Sequence, residues 1–482
     1  MKQIKILLTV TGFFFTANLH SQDSHYWTQQ YGTKSMLLSG SVIGGVEDLG
    51  AVYYNPARLS VASGTAFLLS ANVYELNTIK IDDVFGNSKN ASTTSFRGVP
   101  TLAAGTFKIK KLPKHFFAYA FITRQNSDYN LSYQNEVYQD VIASLPGNEY
   151  FGAAVNIQSS SSQQWTSVCW SYALSPKFSV GVTTNYSLNK QNKGNTIGLQ
   201  ALSESNEVAL YRYTRNYSYS NNGLLWKIGT SATLKNWLLG LTITTPLVSL
   251  GGNGSYKFEE FFSPIAGTST FPPTYSTTNQ TGLALKYKSP LSIGFGVTRN
   301  IGKNKIHFSA EWFSSISKYT MMSTADKLSQ SNPQDTIKFT LVDNEKSVLN
   351  AGIGAEFYIN KKISGFASFC TDFSSISEDQ TRFVERKPEA GDGTWSSDFY
   401  HVGGGFVLNL NGADITLGVT HTGANLTIPR PFNFPDNPSQ PIFNTNDVAN
   451  ARWDRWRFVF SFSFPFLKNY TKKLTGDKEE DK

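Results

Sequence analysis

Cysteine is nearly absent. Cys169 and Cys370 are the only two, and each lies alone within a strand-like run. That excludes a disulfide framework and any paired-cysteine zinc or redox motif. The six histidines fall at no metal-ligand spacing, so neither a metal nor another cofactor is expected. Charge is also sparse: 16% of residues are charged, against an ordinary ~25%. The formal surplus of +8 is spread along the chain. The one dense charged run, Lys468 to Lys482, mixes both signs; it reads as a solvated tail and not as a nucleic-acid site. Beyond the first fifteen residues, no apolar run approaches the ~18 residues of a membrane helix, which excludes a helical inner-membrane protein. Serine, aspartate and histidine are present, but no spacing assembles a nucleophile with its base or a pair of catalytic carboxylates, so no enzyme is expected.

What is present in excess is aromatic residues and glycine: Phe 35, Tyr 23, Trp 9 and Gly 38. Many aromatics with few charges suit β-structure that meets a medium less polar than water. The N-terminus adds a compartment. Lys2 and Lys5 precede an apolar run from Ile6 to Phe15, followed by small and polar residues ending Leu19-His20-Ser21. This is the layout of a cleaved secretory signal peptide over residues 1–21, too short to span a bilayer as a helix.

The dominant pattern has period two. Trp456, Phe458, Phe460, Phe462, Phe464 and Phe466 alternate with Arg457, Val459, Ser461, Ser463 and Pro465. Alternate side chains of a strand point to opposite faces, so one face is wholly aromatic and the other mostly polar or small. Phe178, Val180 and Val182 alternate in the same way with Ser179, Gly181 and Thr183, as do Leu239 and Leu241 with Gly240 and Thr242. Leu291, Ile293, Phe295 and Val297 alternate with Ser292, Gly294 and Gly296, and Ile306, Phe308, Ala310 and Trp312 with His307, Ser309 and Glu311. Soluble sandwiches alternate too. Here, however, the runs are about 9–13 residues, the length of a tilted membrane strand, and Trp226, Trp237, Trp312 and Trp456 stand at their ends like interface girdles.

About fourteen strands follow, near residues 66–79, 98–109, 115–126, 164–174, 177–189, 222–234, 237–247, 281–300, 305–316, 347–359, 362–373, 398–409, 413–422 and 455–466. Short connections such as Gly302-Lys303-Asn304 and Asn411-Gly412 alternate with long ones. Short periplasmic turns and long outer loops are the asymmetry of bacterial barrels. The parity closes with an even strand number and both termini periplasmic. Residues 206–219 look strand-like but are assigned to an outer loop, with an extended strand above the membrane as the alternative; the Gly-, Pro-, Ser- and Thr-rich stretch 248–280 reads as loop, as does the proline-rich 428–449. The expected fold is all-β: an antiparallel transmembrane β-barrel of about 14 strands over residues 65–466, with a charged periplasmic tail over 467–482.

Residues 22–64 do not alternate. Placed before the first strand, they either hang free or fold into the lumen. Met36, Leu37, Leu38, Val42, Ile43 and Val46 are spaced for a short buried helix. Pro56 fixes its own φ and pushes Asn55 towards an extended conformation, so Asn55-Pro56-Ala57 reads as a rigid turn.

The stretch GGVEDLGAVYYNPARL resembles the N-terminal hatch of the FadL-type family of outer-membrane long-chain fatty-acid and hydrophobic-compound transporters, with Asp48, Ala51, Asn55, Pro56, Ala57 and Leu59 at the matching positions. The resemblance implies a hatch over residues 22–64 that plugs the lumen, with Asp48, Asn55, Pro56 and Ala57 as gate residues. It implies passive uptake of hydrophobic small molecules such as long-chain fatty acids across the outer membrane of a Gram-negative bacterium, with outer-membrane lipid around the wall. Inward-facing His307, Glu311, Glu356, His401 and Arg457 are candidates to orient a polar head group. The chain departs from the family at Arg58, where a glycine is usual, and in the tail beyond Phe466. Family members release substrate sideways near a kinked third strand, whereas the run from His115 to Gln125 contains neither Gly nor Pro. FadL-like barrels also serve protein secretion or assembly machines, so the alternative is an accessory barrel that binds a secreted or periplasmic protein.

Overall fold

The computed structural model describes residues 25–62, 67–70, 73–84, 90–107, 109, 111–269, 271–377, 383–384, 397–410, 413–429 and 448–464. The expected signal peptide, the turn at Asn411-Gly412 and the tail lie outside the described residues. Among the described residues, no helix is long and apolar enough to cross a membrane.

Among the described residues, the wall is one antiparallel ring of fourteen strands. β1 comprises Phe67–Ser70 and Val73–Asp82, and β2 comprises Ala91–Val99 and Leu102–Phe107. Four long strands follow: β3 (His115–Gln139), β4 (Glu149–Ser175), β5 (Phe178–Leu202) and β6 (Val208–Leu234). β7 (Trp237–Thr244 and Val248–Ser263) and β8 (Thr274–Ala284 and Ser292–Ile301) are each broken once. β9 (Asn304–Phe313), β10 (Val348–Asn360), β11 (Ile363–Asp372), β12 (Phe399–Leu410), β13 (Ala413–Pro429) and β14 (Val448–Phe464) complete the set. Each strand pairs with the next. β14 returns to pair with β1, as in Phe67 opposite Phe464 and Leu76 opposite Trp456.

Alternation explains the wall. Phe295, Leu241, Phe308, Ile353, Phe406 and Phe458 point outward and are exposed, forming an apolar belt. The intervening residues point inward. At the tight Ile301–Asn304 turn, Gly302 adopts φ +60°, a conformation that disfavours a side chain. The even strand number holds, but the strands run further than expected, so the expected long connections are much shorter: Leu202 and Val208 bound one of them. β4 and β6 have 27 residues each, against the ~9–11 that cross a bilayer. Residues 206–219 are therefore not a loop but the alternative, an extended strand: from Val208 on they form the first half of β6, continuous with 222–234. The stretch 248–280 is not a loop either. It forms a hairpin in which Tyr256 pairs with Gln280 and Phe261 with Tyr275. Its glycines and threonines suggested loop because this part of the sheet projects beyond the apolar belt, where the outward face no longer needs apolar residues. For the same reason Trp226 and Trp456 mark the end of the belt but lie within longer strands.

Candidate functional site: an internal plug and a side window

Residues 25–62 fold inside the ring. The expected helix over 36–46 is a single turn, Lys34–Leu37. Ser39 and Gly40 then take positive φ and turn the chain. Two further short turns, Ala51–Tyr54 and Leu59–Ala62, flank a 3₁₀ turn at Pro56–Arg58. So little regular structure needs other bonds. Asp48 supplies them: its carboxylate accepts from the backbone N–H of Thr33 (2.9 Å), Ser35 (3.0 Å) and Gly50 (2.9 Å) and from the Ser35 hydroxyl (2.9 Å). It ties the two halves of the plug together.

Asn55 is extended (φ −156°, ψ 102°), as Pro56 requires. Its Oδ1 accepts from Ala57 N–H (3.1 Å), capping the 3₁₀ turn. Its Nδ2 donates to the Ile43 carbonyl (2.9 Å) and to the Thr230 carbonyl on β6 (3.0 Å). The Ala57 carbonyl in turn accepts from Ser171 (3.0 Å) and Ser179 (2.8 Å). Thr183, Ser309 and Ser368 bond plug backbone at Val52, Ile43 and Leu37. Between these hydroxyls the wall presents glycine. A methyl group on Gly181 would sit 2.5 Å from the Pro56 carbonyl carbon, and one on Gly296 would overlap Gly44. Plug and wall thus meet backbone to backbone near the short-turn end, which closes the lumen there.

A second layer holds the plug's leading arm, residues 25–31. Asp372 on β11 accepts from the N–H of Tyr26 (3.0 Å) and Trp27 (2.9 Å) and from the Thr28 hydroxyl (2.8 Å). Tyr26 donates to Glu345 (2.5 Å) and Trp27 Nε1 to Glu311 (2.9 Å). The Thr28 carbonyl accepts from Arg455 (3.0 Å) and Arg457 (2.8 Å), and Arg457 pairs with Glu75 (2.9 Å). Lys305 joins Glu47 of the plug (2.7 Å) to Glu356 (3.5 Å). Burial opposes ionisation of Glu47, but Lys305, together with Lys34 and Arg58, holds the carboxyl below its usual range.

All five inward-facing candidates therefore point into the ring. Glu311 and Arg457 hold the arm directly, His401 reaches Asp372 (3.4 Å), and Glu356 acts through Lys305. His307 contacts Thr298 (2.9 Å). Asp48 and Asn55 order the plug and dock it. Sequence reasoning missed Asp372, Glu75, Glu345 and Arg455. Arg455 was within reach, because it shares the inward face with Arg457 two residues away.

The wall is interrupted at one side. Leu102–Phe107 of β2 pairs with Phe117–Ile122 of β3, and the last bond runs from Thr123 N–H to the Thr101 carbonyl (3.0 Å). Above Pro100, Ala91–Val99 pairs with β1 alone, while β3 continues to Gln139 paired with β4. Among the described residues no ladder joins Ala91–Val99 to β3. The run 115–125 has neither Gly nor Pro, yet β3 shifts register between Thr123 and Gln125, where the interruption begins. The break lies in the neighbouring strand, where Pro100 has no N–H to give a ladder. A cavity of about 390 Å³ occupies the interruption, lined by Thr28 and Gln29 of the plug, Asn77, Ser95, Arg97, Asn126 and Asp128 among others. A smaller one, about 100 Å³, lies behind it beside Tyr26, Tyr53, Lys227 and Glu311; both reach Thr28 and Gln125. At the long-loop end, a third cavity of about 470 Å³ is lined by Val141, Ile142, Phe151, Leu199, Tyr211 and Phe262.

A fourteen-stranded ring plugged from its own N-terminal side is similar in fold to solved FadL-type channels. The chain is similar to the crystal structure of a Pseudomonas aeruginosa FadL homologue, with a TM-score of 0.52 and 11% identity over 92% of this chain and 100% of that one. It is also similar to the Pseudomonas putida toluene transporter TodX, with a TM-score of 0.51 and 12% identity over 91% and 98% of the two chains. No protein-family model and no curated protein matches the sequence.

Proposed function

We propose that this chain is an outer-membrane channel for passive uptake of hydrophobic small molecules, long-chain fatty acids among them. Its short turns and both termini face the periplasm of a Gram-negative bacterium. The observation that carries the reading is the combination of a lumen closed at the short-turn end with a wall open at the side. A ligand entering from the long-loop end has an exit through the flank and none through the base. The apolar cavity at Phe151 and Tyr211 receives it from water, where apolar burial is worth about 25 cal/mol per Å². It then passes to the paired cavities at Thr28. Because Thr28 and Gln29 belong to the plug's arm and line the window, movement of residues 22–64 gates the route. TodX is named a toluene transporter, which supports hydrophobic compounds as the class of ligand. The accessory-barrel reading rests on the tail at 467–482, outside the described residues, and no feature of the described fold favours it.

The test is uptake of a labelled fatty acid by intact Gram-negative cells expressing the full chain. Ser95→Trp fills the window cavity and is expected to reduce uptake to the level of non-expressing cells. Wild-type uptake no higher than that of non-expressing cells would sink the channel reading. Unchanged uptake by Ser95→Trp would sink the side exit.

A further inference from the structure

The two rims of the ring are charged differently. At the short-turn end, Lys111 and Lys114 stand between β2 and β3, Lys177 between β4 and β5, and Lys235 between β6 and β7. Lys303 stands between β8 and β9, and Lys361 and Lys362 between β10 and β11. All of them are exposed. The sequence of these turns, residues 108–114, 175–177, 235–236, 302–303 and 360–362, contains no Asp or Glu. The salt bridges at this end run from Lys305 to Glu47 (2.7 Å) and Glu356 (3.5 Å) and involve none of the turn lysines. Lys235 adopts φ +52°, a conformation better suited to Gly or Asn, so turn geometry does not account for a lysine there. The long-loop rim mixes signs instead: Lys338 pairs with Asp326 (3.0 Å), and Glu204 and Glu207 share another tip. Exposed apolar side chains crowd the basic rim. Leu112, Leu174, Leu234, Ile301 and Ile359 are all exposed, and one of them stands within three residues of every turn lysine. At about 3.3 Å per residue, the apolar surface reaches to within about 10 Å of each turn. The ammonium groups therefore sit at the level of the headgroups and not free in solution beneath them. Aromatic rings mark the same level: Trp237 lies under Arg299 (5.0 Å) and Tyr358 under Lys303 (4.3 Å).

We propose that this rim binds anionic phospholipid: a headgroup whose phosphodiester has no compensating amine, as in phosphatidylglycerol, in the leaflet that meets the short turns. This rests on the membrane placement in the reading above and not on transport. Two features favour lipid over an acidic protein or a soluble polyanion. The lysines are spread around the ring, on turns from β2–β3 to β10–β11, where a lipid annulus reaches all of them and one docked protein does not. The apolar residues beside them also set the ammonium groups level with the phosphates. Each ammonium is a compact point charge with three rotatable donors, so a phosphate can approach it from many directions. A zwitterionic headgroup offers the same phosphate, but its own amine opposes the attraction.

The experiment reconstitutes the full chain in phosphatidylcholine vesicles and reads, by electron spin resonance, the fraction of a spin-labelled lipid immobilised at the protein surface. A lysine near an anionic lipid is worth about fivefold in association. Averaged over an annulus whose other half meets the opposite rim, this predicts a preference of about threefold for spin-labelled phosphatidylglycerol over spin-labelled phosphatidylcholine. Salt at about 1 M, where the Debye length falls to about 3 Å, should bring the preference close to one. Replacing all the turn lysines named above with glutamine should do the same. Replacing Lys190, Lys257, Lys318 and Lys327, which lie towards the other rim, with glutamine should leave it unchanged. A wild-type preference near one overturns the proposal and leaves the rim to a soluble polyanion. A preference that survives the salt or the turn substitutions overturns it as well, and so does an equal loss in the second set, since total charge and not the rim would then govern. The salt measurement uses the wild-type chain and so decides independently of any effect of substitution on folding. A chain that does not insert into vesicles defeats the membrane reading instead, and a chain that shows the lipid preference but takes up no fatty acid defeats only the transport reading.

Discussion

Replacing Asn55 with alanine should unseat the plug without harming the barrel. The side chain makes three hydrogen bonds, to Ala57 N–H, the Ile43 carbonyl and the Thr230 carbonyl, and it is fully buried. A buried hydrogen bond contributes about 1 kcal/mol net, and a buried group left unpaired costs about 1–3 kcal/mol. Alanine therefore removes on the order of 3–4 kcal/mol from the seating of the plug, or about two to three decades in its open population at about 1.4 kcal/mol per decade. Hydrogen exchange reads this directly: the amides of Ala57 and Arg58 should exchange at least about a hundredfold faster in Asn55→Ala. Asn55→Asp separates the contributions. It keeps the acceptor that caps the 3₁₀ turn but loses both donations, and it turns a carboxylate towards two carbonyls. If docking to β6 dominates, the aspartate variant is as loose as the alanine variant. If capping dominates, it stays near wild type. Exchange at Ala57 within about threefold of wild type in Asn55→Ala would refute the assignment of Asn55 as the pin, given the energies above.

Asp372→Asn should free the leading arm alone. Each bond to an ionised acceptor is worth about 1.5–3 kcal/mol, so Tyr26 and Trp27 amides are expected to exchange ten- to a hundredfold faster, at roughly the low end of that range, while those of residues 43–57 keep wild-type rates; loss of protection in both segments would show a single cooperative plug. Gly296→Val drives a branched side chain into Gly44. Overpacking costs about 1–3 kcal/mol, so leakage of a small hydrophilic solute through proteoliposomes should rise while the barrel keeps its heat-resistant electrophoretic mobility; unchanged leakage contradicts a close-packed seat. Phe295→Arg places a charge in the outward belt, where the cost at the bilayer midplane is about 2–4 kcal/mol. Urea titration of folding into lipid vesicles should show that loss, and a change below about 0.5 kcal/mol would remove Phe295 from the lipid-facing surface.

The wall was legible in the sequence because its two faces meet different media. Phe295 and Leu241 had to be apolar, and Gly296 and Gly240 alternate with them, so period two and loop parity were enough to count strands. What lay beyond the belt was not legible. In the hairpin of Val248–Ser263 with Thr274–Ala284, neither face is held to one chemistry by lipid, and the pattern reads as loop. The plug was legible only at Asn55-Pro56-Ala57, where proline dictates local geometry. Its docking depends on contacts between residues far apart in sequence, such as Asp372 with Trp27 and Ser179 with Ala57, and no local pattern encodes them. One signal was visible without its meaning. The small residues Ser179, Gly181, Thr183, Gly240, Thr242 and Gly296 stand on the inward face of the alternation, and several of them form the seat of the plug.

The two layers that hold the plug differ in kind, and the difference bears on how a route can open without a leak. The seat depends on close approach: glycine against Pro56 and Gly44, hydroxyls on carbonyls, and the apolar side chains of Leu37, Val46, Leu49 and Leu59 in one buried cluster. Separating it exposes apolar surface and orphaned backbone together, and water compensates only the second. The arm depends on charge: Asp372, Glu311, Arg455 and Arg457 hold residues 26–30 through hydrogen bonds that water can replace one at a time. The arm therefore yields first. Since Thr28 and Gln29 line the window and the seat lies elsewhere, towards the short-turn end, the proposed uptake function has the arm move while the seat stays in place. On that reading, admitting a greasy ligand and excluding ions are controlled at different depths of the same plug.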